Sequence, residues 1–105
     1  MSIEQTLLAE LQDSKRWLDI EKDYSTFRRD LVKRIELIDW ALENMKIPDT
    51  KICDLLEEKM NEVVLEINRT SSIFESNKLH SELRIMDWIL DQVRCNEINS
   101  HYYYL

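Results

Sequence analysis

Apolar residues recur along the chain at steps of three and four, the spacing of one helical face. Ile3, Leu7, Leu8, Leu11 and Leu18 make a first stripe, flanked by Trp17. They predict a helix to about residue 22, opened by Ser2 and Gln5 as a capping box. The phase slips between Leu18 and Tyr24, and Tyr24-Ser25-Thr26-Phe27 reads as a turn in which Ser25 or Thr26 caps the next helix. That second helix carries Phe27, Leu31, Ile35, Ile38, Leu42 and Met45.

Ile47-Pro48-Asp49-Thr50 is a firm break, because proline disfavours helix in the residue before it. Asp49 or Thr50 can cap a third helix with Ile52, Leu56, Met60, Val63 and Ile67 on its stripe, widened by Leu55 and Val64. Ser72 and Glu75 form another capping box, before a fourth helix on Leu79, Leu83, Met86, Leu90 and Val93 that ends near Asn96. Ile85 and Ile89 widen its apolar surface sideways.

The second and fourth segments resemble each other. A shift of 48 positions brings Leu31, Asp39, Trp40 and Leu42 onto Leu79, Asp87, Trp88 and Leu90 as identities. The chain thus reads as a doubled helical hairpin. The expected fold is all-α, an antiparallel four-helix bundle over residues 1–99 followed by an aromatic tail, 100–105. The alternative joins the helices pairwise into one long two-helix hairpin that buries its stripes only by dimerising.

Composition narrows the class. Glycine is absent and Pro48 is the single proline, which disfavours β-rich folds and glycine-dependent phosphate-binding folds. The formal net charge is −7, with 10 acids and 8 bases in residues 1–48 and 11 and 6 in residues 49–105. Direct nucleic-acid binding is not expected of such a chain. Arg28, Arg29, Lys33 and Arg34 form the local exception, either a solvated helix flank or a docking patch for an acidic partner.

Cys53 and Cys95 stand far apart with no Cys-x-x-Cys, which suits a reducing cytoplasm. No apolar run approaches the roughly 20 residues that span a bilayer, and the first residues have no secretory pattern. The Asn68-Arg69-Thr70 acceptor pattern carries no weight without one.

The sequence offers no catalytic group, no cofactor site and no metal site. His80 and His101 have neither a Glu three residues before them nor helical zinc spacing. Glu58, Glu62 and Glu66 step by four along the third helix, but the acids opposite, Glu82 and Asp87, are five apart and do not complete a helical magnesium pair. They read as a charged flank, and an enzyme dependent on a metal there is the least favoured function.

The tryptophans carry the functional expectation. At about 100° per residue, Trp40 and Trp88 fall nearly opposite the stripes of their helices, with Ile47 beside Trp40 and Val32 nearer the edge. Either the bundle packs in more than one direction, or these indoles anchor an interface with a second copy or another protein. Tyr102, Tyr103 and Tyr104 of the tail are further candidate contacts, because three successive tyrosines cannot share one helical face. The function expected is a small acidic cytoplasmic protein-binding module: an inhibitor, an antitoxin or immunity-type neutraliser, or an assembly subunit, with a homodimer as one form of association. The alternative is an acidic nucleic-acid mimic that blocks a DNA- or RNA-binding protein.

Overall fold

The computed structural model describes residues 3–21, 26–49 and 51–93. Four helices follow one another, α1 (Ile3–Ile20), α2 (Thr26–Met45), α3 (Ile52–Arg69) and α4 (Ile73–Val93), with no strand among the described residues. Ser2, Lys22 and residues 94–105, including Cys95 and the three tyrosines of the tail, lie outside them.

The helix ends show why the chain breaks where it does. Arg28 donates to the carbonyls of Leu18 at 3.3 Å and Glu21 at 2.5 Å. Carbonyls at the end of a helix lack the intrahelical partners of its interior, and a guanidinium from the next helix serves these two. The long continuous hairpin is therefore set aside. At α3 the expected cap is corrected: the N-cap residue is Lys51, which makes no side-chain capping bond. Asp49 instead takes φ 64°, the left-handed region that Asn and Asp tolerate best after glycine, and turns the chain behind Pro48. Thr50 lies outside the described residues. At α4 the Ser72 cap forms as expected, its Oγ accepting from the Glu75 N–H at 3.2 Å. The Ser72 N–H donates to Thr70 Oγ1 at 3.2 Å.

Consecutive helices pack as hairpins, α1 on α2 and α3 on α4. Arg29 lies over Phe74 near the starts of α2 and α4, Lys33 reaches Glu82 further along, and Trp40 shares a groove with Met86 beyond that. These contacts advance together, so α2 and α4 run in the same direction, as diagonal helices of an up-down-up-down bundle do. The bundle is flattened along that diagonal, with extents of 37 × 34 × 23 Å. α2 and α4 meet in the middle, and α1 and α3 lie on opposite edges.

Burial follows the repeat. Leu31, Leu37, Ile38, Ala41 and Leu42 are buried in α2, and so are Leu79, Ile85, Met86, Ile89 and Leu90, each 48 positions later in α4. A shift of 49 carries the buried Leu7, Leu11 and Ser14 of α1 onto Leu56, Met60 and Val63 of α3. The two hairpins are thus related by an approximate twofold axis along the bundle. Leu37 and Ala41 bury on the side of α2 that the single stripe does not include. Leu8, Phe27 and Val64, expected on stripes, are exposed. Leu8 and Val64 lie on the edge helices, which cover a narrower face than a helix surrounded by neighbours, and Phe27 lies in the first turn of α2.

Candidate functional site

The flattening leaves two looser seams, α2 against α3 and α4 against α1. One tryptophan lines each. Trp40 and Trp88 are half-buried and packed against the core, as the first of the two expected arrangements, a bundle that packs in more than one direction, requires. The angular position of the indoles puts them on the far side of a helix with one buried face. α2 and α4 bury a second face against each other, and the indoles follow into the seams beside it.

The two grooves have equivalent linings. Ser81, Arg84, Ile85 and Trp88 of α4 line one, of about 180 Å³. Lys33, Glu36, Leu37 and Trp40 of α2 line the other, of about 340 Å³, at the same four repeat positions. Their charges are reversed: Arg34 and Glu10 in the first groove stand where Glu82 and Lys59 stand in the second.

Ion pairing separates the grooves. In the Trp88 groove Arg34 bonds Glu10 at 3.1 Å, tying α2 to α1. In the Trp40 groove the Lys33 ammonium lies 3.0 Å from Glu36 and 3.4 Å from Glu82. Burial disfavours that ammonium, but the two carboxylates outweigh it and hold its pKa above the ordinary lysine value. The Lys59 ammonium sits 5.1 Å from the Trp40 ring centroid, a cation on an aromatic face.

The basic cluster is spent inside the molecule. Arg28 closes α1, Arg29 lies 5.1 Å over the Phe74 ring, and Lys33 and Arg34 hold carboxylates of neighbouring helices. Val32 and Ile47 are exposed, Ile47 in the turn after α2.

Sequence reasoning missed an apolar end. In this topology the α1–α2 and α3–α4 connections lie at the same end of the bundle. Ile73 is 79% exposed there, Ile20 68% and Phe74 64%, with Trp17 and Phe27 also open to solvent. Trp17 and Phe27 meet edge to face at 6.2 Å, and Arg29 bridges toward Phe74 from the next hairpin. These residues straddle two predicted turns, and only the topology brings them together.

The charged flank expected at Glu58, Glu62 and Glu66 is open, and Asp54 extends it. Asp54, Glu58, Glu62 and Glu66 are all exposed, and none forms an ion pair among the described residues. Like charges at this spacing cost a helix about 0.2–0.5 kcal/mol per pair. No group of three or more metal-binding side chains is present among the described residues. His80 is exposed, and Cys53 is a half-buried free thiol.

Among the described residues, Asp87 is the one strongly shifted acid. Burial, and then the charge of Asp91 one turn on, raise its pKa to about 6, and its Oδ1 is buried without a hydrogen-bond partner. An acid whose pKa rises on folding resists ionisation in the native state, so its penalty is absent below pH 4 and complete above about pH 6. A shift of about two units corresponds to ~3 kcal/mol, reduced to ~1 kcal/mol because the carboxylate is only partly buried. Asp87→Asn is therefore expected to gain about 1 kcal/mol relative to wild type between pH 4 and pH 7. Urea unfolding of both proteins across that range reads the gain, and parallel pH profiles would remove Asp87 as its source.

Compared with known protein families, curated proteins and solved structures, the chain has no significant match. No described helix is long and apolar enough to cross a membrane.

Proposed function

We propose that this chain is a protein-binding module without catalytic activity of its own, acting in the cytoplasm as an inhibitor, an antitoxin or immunity-type neutraliser, or a subunit of a larger assembly. The observation that carries this reading is the apolar end of the bundle. Five large apolar side chains stay open there, while other apolar side chains of the same molecule are buried in one core cluster. Contiguous exposed apolar surface on a small protein marks a contact site, and tryptophan is enriched among residues that dominate binding energy. The apolar anchor thus moves from the Trp40 and Trp88 faces to Trp17, Phe27 and Phe74.

The test is an exposed double substitution, Ile73→Ser with Phe74→Ser. Changes at exposed positions usually stay within about 0.5 kcal/mol, and loss of the Arg29–Phe74 contact adds about 0.5–1 kcal/mol. The melting temperature is expected to fall by only a few degrees, while retention of the stoichiometric protein partner in its native host falls at least tenfold. Undiminished retention would remove this end as the anchor. A homodimer through the same end would show as twice the chain mass in light scattering of the pure protein.

The nucleic-acid mimic is the second reading, and the α3 carboxylates, which form no ion pair among the described residues, favour it. Partner binding that weakens steeply with salt supports the mimic. Binding that tolerates salt and is lost with the apolar end supports the module.

A further inference from the structure

Charge is segregated along the bundle. α1 and α3 run toward the apolar end and α2 and α4 away from it, so a cut through the middle of each helix divides the molecule into two halves. In the half at the apolar end, residues 12–21, 26–35 and 61–82 carry 8 acids and 8 bases. In the other half, residues 3–11, 36–49, 51–60 and 83–93 carry 11 acids and 4 bases. The excess of negative charge among the described residues therefore stands away from the five open apolar side chains, and the half that carries them is neutral.

We infer that the apolar end pairs with the apolar end of a second copy of this chain, about a twofold axis across the bundle. A twofold contact sets a surface against itself, so an end with net charge repels its own copy and a neutral end does not. A partner of different sequence is steered by opposite net charge, and this end has none to offer it. End-to-end pairing also keeps the acidic halves apart. Helices of 18 residues are about 27 Å long, so the two acidic halves begin about 27 Å from each other. The Debye length in 0.1 M salt is only about 10 Å. The size fits a small interface. The five side chains are 47–79% exposed, and with about 150–250 Å² for a large aromatic one they offer on the order of 600 Å² per chain. A standard interface takes about 800 Å² per partner. The pair is therefore concentration-dependent, with single chains at about 1 µM and pairs near 1 mM. The inference rests on the reading of the apolar end as a contact site and names its occupant.

Sedimentation equilibrium of the full chain, from about 1 µM to about 1 mM, is the test. The mass is expected to rise from 12.7 kDa to twice that value. Ile73→Ser/Phe74→Ser should weaken pairing at least tenfold. Leu8→Ser/Ile47→Ser, which removes exposed apolar side chains of the acidic half, should weaken it no more than twofold. Lys15→Glu/Arg69→Glu changes two exposed residues, leaves the patch intact and turns the neutral half from 8 acids and 8 bases into 10 and 6. It should weaken pairing at least tenfold in about 0.01 M salt and recover most of that loss in about 1 M salt, where the Debye length falls to about 3 Å. Recovery by salt separates repulsion at the contact from a loss of fold. A single mass for wild type at every concentration would overturn the inference, as would pairing that survives Ile73→Ser/Phe74→Ser or that ignores the charge reversal at low salt. A single-mass wild type that still loses its native-host partner on Ile73→Ser/Phe74→Ser would remove only the second copy as occupant and leave the contact-site reading in place.

Discussion

Ile89→Ala is expected to lower the unfolding free energy by about 2–5 kcal/mol, the range for a large aliphatic side chain cut back in a packed core. Ile89 is 0% exposed on α4, the helix that touches all three others. Small domains hold only about 5–15 kcal/mol in total, so this one change removes a large share. The approximate twofold sharpens the prediction. The repeat partner of Ile89 is Ala41, also 0% exposed. Large and small side chains therefore stand at equivalent positions of one core. Ala41→Ile alone should overpack it and cost about 1–3 kcal/mol. The exchange of both, Ala41→Ile with Ile89→Ala, conserves volume and should recover at least about 1 kcal/mol of the summed loss. Urea denaturation of the three variants measures this coupling. Strictly additive losses would mean that the two positions do not share a core.

Trp88→Ala and Trp40→Ala should each cost about 2 kcal/mol, roughly half the value for a fully buried aromatic, because each ring lies half-buried in a seam. In a domain of this size that is a fall of about 8–16 °C in melting temperature. Helix content at room temperature should persist in either single variant, because the central α2–α4 contact does not depend on the indoles. Thermal unfolding followed by circular dichroism reads both numbers. A melting temperature unchanged in both variants would place the rings on free surface. A loss confined to one of them would break the equivalence of the seams.

The elements were legible in the pattern of apolar positions because each helix has a stripe and each break has a local chemical cause. Pro48 and the Ser72 cap act on their own neighbours, so sequence alone locates them. The second buried face of α2 was harder to read, because Leu37 and Ala41 make sense only once α4 lies against them. A signal was present: both positions are apolar in the two copies of the repeat, as Ile85 and Ile89 show. The same second face left two arrangements open for the tryptophans, and the contact of α2 with α4 draws them into the seams. The basic cluster was visible as composition, but its use was not, since Arg28, Arg29 and Arg34 each find a partner on another element. The apolar end was the least legible feature. Ile20, Phe27 and Phe74 come from segments that meet only in the folded topology; Phe27 continues the α2 stripe, but Ile20 and Phe74 lie on none.

Hydroxyl-radical footprinting of the purified chain, free and in complex with the partner it retains in its native host, tests the central claim most directly. The rings of Trp17, Phe27 and Phe74 are open in the free chain and should lose most of their labelling on binding. The buried Met86 should stay weakly labelled in both states. Unchanged labelling of the three rings in a stoichiometric complex would contradict the account, because the partner would then sit elsewhere on the bundle.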